Sequence, residues 1–403
     1  MTDRPEPLAA SPQLDRDIRR LYTLWGIIGA AILPFFTVLL ASRGLRADRI
    51  GLIVAASSLA GVLATPLWSH EADTRLGTTR TLFLASLAPA IFALTLIPAG
   101  GNPWLVGALA AAMGAAGAPV VALADTLALH ILGPGRAADF GRIRRFASAG
   151  WAIAVVAFGA LYERVGLWPV LPAYAAGSVV YAWLVSRFPD ERPEPHPARR
   201  SRLSSAADAF RSSQHLLPFL AGLLLLSIAT SATDSFIPLR MLGVGGGPFL
   251  IGLAAGAAAV IEIPIFTASS RLGERFGMRN LFLAGTAISI VTLLGYGVAG
   301  SPAAVAVFRG LSGAAFGLKY AALVVLIDRL VPAHLRTTGQ GLLQMASMGI
   351  GPILGPAVGG FVYVHLGPPT LFVGAAVAAT GAAIIAWWAL RGLHDAGGTQ
   401  ASV

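Results

Sequence analysis

One polar interval, residues 188–215, divides this 403-residue chain into two halves with the same arrangement of apolar segments. Six segments of roughly bilayer length precede the interval and six follow it. A hydrocarbon core of about 30 Å requires around 20 apolar residues per helix, and each such helix must satisfy its own backbone hydrogen bonds. The pattern therefore predicts an all-α integral membrane fold with twelve transmembrane helices in two pseudo-symmetric six-helix bundles.

Composition excludes a soluble fold. The chain is 56% hydrophobic and 12% charged, whereas soluble domains carry roughly a quarter charged residues. The predicted domains are an N-terminal tail at 1–20, a first bundle at 21–187, the linker at 188–215, a second bundle at 216–391 and a C-terminal tail at 392–403. The predicted spans are 22–41, 50–69, 81–99, 103–132, 146–162, 167–187, 216–240, 249–270, 281–299, 303–330, 339–365 and 370–390.

The net charge of +10 is distributed as a membrane topology signal. If both termini are cytoplasmic, most of the 29 basic residues fall in the tails and the even-numbered loops, as the positive-inside rule requires. This distribution favours contact with anionic lipid over binding to nucleic acid. Arg43, Arg46 and Arg49, in the first external loop, run against the trend. We expect a multi-pass protein of a bacterial-type inner membrane.

The chain lacks the residues and motifs that several common enzyme and metal-binding functions require. The chain has no cysteine, which excludes disulfides, thiolate metal sites and cysteine nucleophiles. It has no phosphate-binding loop, no zinc-protease motif and no nucleophile elbow. We therefore expect no enzyme activity, no cofactor and no metal.

Two short turns, about 200 residues apart, share acidic, basic and glycine residues. WSHEADTRLGTTR follows the second span and SSRLGERFGMRN follows the eighth. A tight turn needs glycine where φ is positive, and ion pairs between acids and arginines at helix ends could hold one conformation closed. The predicted gate residues are Asp73, Arg75 and Arg80 in the first turn and Glu274, Arg275 and Arg279 in the second.

This repeated turn, together with the duplicated twelve-span layout, resembles the major facilitator superfamily, and the resemblance covers essentially the whole chain. The first turn departs from the family pattern, because Ser69 stands where glycine is expected and an extra residue separates Asp73 from Gly77. The resemblance implies a transporter whose halves rock around a central cavity. Internal duplication is itself a signature of such folds.

The run FGRIRRFASAGW at 140–151 is similar to the entry into span five of the lactose permease, phenylpropionate and nucleoside proton symporter group. On that similarity, Arg144 and Trp151 are substrate-binding residues. A guanidinium can donate bidentate hydrogen bonds to hydroxyls or carboxylates, and an indole face can contact a ring. A topological arginine and an interfacial tryptophan are the structural alternatives.

Five ionisable residues fall inside predicted spans, where each costs about 2.5 to 3.5 kcal/mol on insertion scales. They are Asp125, Asp234, Glu262, Arg309 and Lys319, the last being the chain's only lysine. Asp125 and Lys319 are predicted substrate-binding residues. The other three are predicted to form ion pairs or to carry the coupled proton, and purely structural pairs are the alternative.

The resemblance refines these assignments. In the lactose permease group a base at the position of Arg309 pairs with an acid in span seven, which selects Asp234 as its partner. That group's proton-binding histidine and glutamate fall here on Ser312 and Ala315. The Glu-Ile-Pro sequence at Glu262 resembles sugar efflux transporters and nucleoside symporters instead. Glu262 is therefore the first candidate proton carrier.

The sequence thus predicts a secondary active transporter that moves a sugar, nucleoside or aromatic acid by alternating access, and we expect its transport to be coupled to protons. Its expected partners are this small-molecule substrate, the proton and membrane lipid, and we expect a monomer. A sugar or multidrug efflux antiporter is the alternative within the class. A membrane receptor that binds ligand without translocating it is the alternative outside it.

Overall fold

The computed structural model describes residues 12–133, 136, 139–189 and 202–391. The predicted C-terminal tail, residues 1–11 of the predicted N-terminal tail and residues 190–201 of the predicted linker lie outside the described residues. Most described residues are helical and none of them forms a strand. The helices are α1 (Pro12–Ile32), α2 (Phe36–Ser42), α3 (Ala47–Glu71), α4 (Gly77–Thr95), α5 (Pro103–Gly117), α6 (Val120–Leu132), α7 (Phe140–Val165), α8 (Val170–Val185), α9 (Arg202–Ser212), α10 (Leu216–Asp234), α11 (Ile237–Gly243), α12 (Pro248–Phe276), α13 (Met278–Val298), α14 (Pro302–Leu330), α15 (Arg336–Gln344), α16 (Gly351–His365) and α17 (Pro368–Ala389).

The helices account for the predicted twelve spans. Among the described residues, 10 helical stretches are long and apolar enough to cross a membrane. One of them, Ala47–Thr95, is 49 residues long and contains α3 and α4, which a turn at Gly77 separates. Dividing this stretch and adding the shorter apolar helix Val170–Val185 gives twelve. The all-α membrane fold predicted from the sequence is confirmed.

Span one differs from its predicted outline. Helix α1 begins at Pro12, within the predicted tail. The helix is interrupted by a turn between Ile32 and Phe36, and α2 follows the turn. The early start has a packing cause, because Ile18 and Leu21 are fully buried although polar residues surround them in sequence. An amphipathic helix end buries its apolar stripe and leaves its charges at the surface.

The described residues separate into two compact units. One contains those up to Leu45 together with Ala56–Pro197, and the other contains Arg46–Ala55 together with those from Ala198 onward. The start of α3 thus packs with the second unit, where a side chain at Gly51 or Gly360 would clash with the backbone of Pro356 or Ala47 respectively. The boundaries predicted for the bundles and the linker stay predictions.

An aromatic pair recurs at equivalent places in the two units. Phe35, at the start of α2, packs edge-on against Tyr162 with ring centroids 4.9 Å apart. About 200 residues later, Phe236, at the start of α11, stacks on Tyr363 at 5.4 Å. In both units the phenylalanine lies where the first span of the half is interrupted. The internal repeat therefore extends to the residues that pack at the helix breaks.

Close contact between α1 and α7 depends on residues without side chains. A Cβ at Gly150 would overlap the carbonyl oxygen of Thr23, and one at Gly26 would overlap that of Ala147. Small residues let helix backbones approach in lipid, where no hydrophobic force drives helices together. Gly141, in the first turn of α7, has open space around the same position.

We predict that Gly150→Ala lowers the stability of the protein by about 1–2 kcal/mol. Overpacking costs about 1–3 kcal/mol, and the better helix propensity of alanine offsets part of that cost. Gly141→Ala is the matched control and should leave stability unchanged or slightly raised. The measurement is the thermal unfolding midpoint of purified protein in detergent, and equal midpoints for the two variants would contradict the close approach.

Arg43, in the first predicted external loop, and Arg240, the last residue of predicted span seven, have structural partners. Arg43 donates to the carbonyl oxygen of Leu96 at 2.7 Å, just beyond the end of α4. Arg240 donates to three carbonyls at the end of α13, those of Tyr296, Gly297 and Ala299, at 3.1, 3.4 and 2.7 Å. The last carbonyls of a helix have no partner within it and attract cations. The hydrogen bond to Leu96 explains why Arg43 lies in an external loop, where the positive-inside rule does not favour an arginine.

Replacing Arg240 with methionine should therefore destabilise the protein. Hydrogen bonds to charged groups contribute about 1.5–3 kcal/mol each, and we expect Arg240→Met to cost at least about 1.5 kcal/mol on that scale. Arg240→Lys should give an intermediate value, because it retains the charge and loses the planar fork. Arg46→Met, which removes only an exposed ion pair with Asp48 at 3.6 Å, is the control in the same thermal assay.

Candidate functional site

The first unit contains a polar cluster built on Asp125 of α6. One carboxylate oxygen accepts a hydrogen bond from the Tyr22 hydroxyl of α1 at 2.6 Å. The other accepts from the Arg144 guanidinium of α7 at 2.9 Å. The predicted substrate-binding residues Asp125 and Arg144 are thus in direct contact. Sequence reasoning missed Tyr22, because a tyrosine near the start of a span is typical of the membrane interface.

The exposures within this cluster differ. Tyr22 is 3% exposed and packs edge-on against Phe140, whereas the Arg144 side chain is 47% exposed and that of Asp125 24%. Both oxygens of Asp125 are engaged. Arginine has five N–H donors in a planar fork, so Arg144 retains donors that a solute could use. Asp125 and Tyr22 hold this guanidinium in place.

Trp151, the other predicted substrate residue of this unit, is partly buried against α1. A Cβ at Gly29 would come within 3.1 Å of its indole ring. The missing side chain at Gly29 therefore makes room for the ring. The predicted role of Trp151 in substrate binding stays a prediction.

The second unit contains the ion pair expected from the sequence. Arg309 of α14 donates to Asp234, at the end of α10, at 2.9 Å. The Asp234 side chain is 57% exposed and that of Arg309 31%. Asp234 is the last residue of a helix that is apolar along nearly its whole length, and the chain turns there before α11 begins. The pair places the base of α14 beside this break.

Glu262 and Lys319 have different surroundings. Within the described part of the chain, Glu262 of α12 forms neither a hydrogen bond nor an ion pair, and Arg309 attracts it electrostatically. Lys319 donates to the Ser289 hydroxyl of α13 at 2.7 Å, and a side chain at Gly285 would collide with it. Lys319 therefore lies between α13 and α14 in a space that Gly285 leaves open. Its predicted role in substrate binding stays a prediction.

The first repeated turn is a π-helical turn, Ala72–Leu76, followed by Gly77 at φ 76°. Asp73 and Arg80 are exposed. Arg75 pairs with Glu71 at 3.3 Å, one helical turn away. The Thr79 hydroxyl donates to the carbonyl of Pro189 at 2.8 Å, which ties this turn to the end of the same unit.

The second repeated turn has Gly277 at φ 80°, so both turns use glycine in the left-handed region as predicted. Glu274 and Arg275 are exposed and Arg279 is partly buried. The Arg275 guanidinium lies 5.2 Å from the centroid of the Phe276 ring. Among the described residues Glu274 forms no ion pair. The proposed gating role of these six residues stays a prediction.

A network of ion pairs, which the sequence analysis did not predict, joins α1 to the connection before α7. Arg136 donates to both oxygens of Asp15, at 3.1 and 2.7 Å, and to Asp139 at 3.4 Å. The Asp15 carboxylate raises the pKa of the Arg136 guanidinium. Arg142 donates to Asp139 at 3.0 Å. Long-range pairs of this kind leave no mark in local sequence patterns.

Residues 20–373 match the model of the MFS_1 like family. The chain belongs to the MFS_1 like family. Helix count, duplication and the paired charges inside the spans agree with this membership. The protein is a multi-pass secondary transporter of the major facilitator type, as the sequence predicted.

Curated relatives of this family member carry the names of several kinds of transporter. The maltose permease of Geobacillus stearothermophilus is 28% identical over 82% of this chain and 83% of its own length. The multidrug resistance protein MdtG of Serratia proteamaculans is 23% identical over 95% of this chain and 97% of its own. The putative nucleoside transporter YegT of Escherichia coli is 24% identical over 84% and 82%.

Solved structures share the fold of this MFS_1 like protein at low identity. The nucleoside transporter NupG matches with a TM-score of 0.81 at 17% identity and covers 94% of this chain and 99% of its own. The POT family transporter PepTSo matches with a TM-score of 0.73 at 12% identity, over 94% of this chain and 98% of its own. These likenesses confirm the architecture.

The ion pair between Asp234 and Arg309 yields a prediction that needs no knowledge of the substrate. In a double-mutant cycle with Asp234→Asn and Arg309→Met, the coupling energy should be about 0.5–1 kcal/mol, near the low end of values for contacting charges because both side chains are partly exposed. Thermal unfolding of the four proteins in detergent gives this energy. Additive effects of the two substitutions would show that the pair contributes nothing.

Proposed function

We propose that this MFS_1 like protein moves a small organic solute with hydrogen-bond acceptor groups, of the sugar, nucleoside or aromatic acid type, in symport with protons. The observation that carries the proposal is the Arg144 side chain. It is 47% exposed and anchored by Asp125 at 2.9 Å, so it offers fixed donors to a hydroxyl, carbonyl or carboxylate. A donor held in place by its own counter-ion loses little conformational freedom on binding.

Glu262 is the proposed proton carrier. An unpaired carboxylate in a span is costly as an anion, and the described residues provide Glu262 with no hydrogen-bond donor. Arg309 attracts it but is held by Asp234 at 2.9 Å. Binding a proton neutralises Glu262, and losing it restores an attraction for Arg309. This competition between two acids for one base is a means of coupling proton movement to alternating access.

Efflux by proton antiport is the second candidate. The likeness to MdtG of Serratia proteamaculans extends over 95% of the chain, further than the likeness to the maltose permease.

We further propose that the protein is a monomer in a bacterial inner membrane with both termini cytoplasmic, and that it releases the solute chemically unchanged. The residues proposed to gate the cytoplasmic side are Asp73, Arg75, Arg80, Glu274, Arg275 and Arg279.

The two candidates are separated by flux measurements in proteoliposomes. Labelled uridine, maltose, 3-phenylpropionate and ethidium are supplied under imposed proton gradients of either direction. Symport predicts accumulation of one of the first three probes when the outside is acidic. Antiport predicts accumulation when the inside is acidic, with ethidium as a substrate. Equal flux under both gradients would contradict proton coupling, and no flux above empty vesicles would favour a receptor.

Glu262→Gln should uncouple transport from the proton gradient. The amide keeps the shape of the protonated acid and cannot release a proton, so exchange of internal for external solute should persist. Accumulation should fall at least about tenfold, the factor that a proton gradient of one pH unit can sustain. Glu163→Gln, in the last turn of α7, is the control and should accumulate solute normally. Undiminished accumulation by Glu262→Gln would remove Glu262 from the proton pathway.

A further inference from the structure

A cavity of about 180 Å³ lies inside the first unit, among α1, α4, α8 and the junction of α5 with α6. Its lining is mainly apolar, with aromatic walls from Trp25, Tyr174 and Tyr181 and hydroxyls from Ser86 and Ser178. Tyr181, Ser86 and Ser178 are at most 5% exposed. Pockets that bind small molecules typically combine apolar walls with a few polar groups.

The cavity exists because the surrounding helices are interrupted near the same place. Helix α1 ends at Ile32, α4 contains Pro89, and the fourth span breaks between α5 and α6 next to Pro119. A proline inside a helix disrupts its regular path. Gly29 and Gly117 also line the cavity; a Cβ at Gly117 would lie 3.4 Å from the ring of Pro89. These features hold space open inside the bundle.

The polar cluster of Asp125 lies beside this cavity. Tyr22 precedes Trp25 by three residues, which places both on one face of α1 with a rise of about 4.5 Å along the helix. Tyr181, in the cavity wall, interacts electrostatically with Asp125. Trp151 packs against Gly29, which lines the cavity. Asp125, which holds the Arg144 guanidinium, therefore binds the same face of α1 from which Trp25 lines the cavity.

We propose that this cavity holds a planar aromatic ring of the transported solute, while Arg144 binds an oxygen acceptor attached to that ring. The inference rests on the proposed function and narrows its substrate class. Trp25 and Tyr174 provide faces for stacking. The Ser86 hydroxyl donates to the carbonyl of Leu82 at 2.6 Å, so its oxygen is left to accept a hydrogen bond from an N–H or O–H of the solute, and Ser178 adds a second hydroxyl. A nucleoside and an aromatic carboxylate both meet this description, whereas a disaccharide has no planar ring to insert.

Competition binding tests the solute class with purified wild-type protein. Labelled uridine and labelled 3-phenylpropionate are the probes, and uracil, benzoate, D-ribose and maltose are the competitors. We expect at least one probe to bind and uracil or benzoate to displace it, with D-ribose and maltose ineffective at the same concentration. Uridine binding would identify a nucleoside and 3-phenylpropionate binding an aromatic acid. Displacement by maltose or D-ribose but not by the ring compounds would overturn the proposal.

Cavity variants test the location. Val120→Trp fills the cavity from its rim, and Trp25→Leu removes a stacking face. Removing an aromatic side chain on which a base stacks weakens binding of that base by about tenfold or more. We therefore expect each variant to raise the dissociation constant of the probe at least about tenfold. Trp25→Phe should restore most of the affinity. Trp168→Leu, which alters a tryptophan that is 71% exposed, is the matched control.

The thermal unfolding midpoint of each variant shows whether it folds. Folded Val120→Trp and Trp25→Leu proteins that bind the probe with wild-type affinity would overturn the cavity as the ring site. If those variants are normal while Arg144→Gln loses transport, the cavity inference fails and the proposed function stands. If wild-type protein transports maltose and transports neither uridine nor 3-phenylpropionate, the proposal that the cavity binds an aromatic ring is contradicted and the proposed function stands. Absence of flux for all probes contradicts the proposed function as well.

Discussion

The cost of a charge in hydrocarbon governs how this protein distributes its ionisable groups. Asp125 is satisfied by Arg144 at 2.9 Å and by Tyr22 at 2.6 Å, and Asp234 by Arg309 at 2.9 Å. Each pair lies within one compact unit. These two acids therefore find their basic partners within their own half of the chain, which offsets the cost of placing them in a span. Glu262 and Lys319 depart from this pattern, since among the described residues neither forms an ion pair.

The second constraint is the way the helices are interrupted. Breaks at Leu33, Pro119 and Asp234 would expose backbone groups to lipid if neighbours did not satisfy them. The Trp68 indole donates to the carbonyl of Ala115 at 2.9 Å next to the break between α5 and α6, and Tyr162 donates to the carbonyl of Ala31 at 3.0 Å near the end of α1. Side chains thus replace the missing intrahelical bonds, and the breaks become stable features on which polar groups can be placed.

Most of the architecture could be predicted from the sequence, because twelve apolar segments and a polar interval admit few alternatives. The contact of Asp234 with Arg309 was also predicted, because the resemblance to the lactose permease group pairs a base at the position of Arg309 with an acid in span seven. The partners of Asp125 were not predicted, since Arg144 was expected to bind substrate and Tyr22 was not singled out. Tyr22 and Ser289 are ordinary residues in sequence, and their roles arise from which helix faces meet. The cavity beside Trp25 was invisible for the same reason, because empty space depends on three interrupted helices at once.

Lys319 is the only lysine of the chain, and its amine is held by Ser289 at 2.7 Å between α13 and α14. This position gives the protein a built-in chemical reporter. Outside the N-terminus no other primary amine competes for an acylating reagent, so the rate of modification reports how accessible the space between α13 and α14 is in each state of the protein. A chain that evolution equipped almost wholly with arginine can therefore be followed through its working cycle by amine chemistry, without introducing a cysteine or a fluorophore.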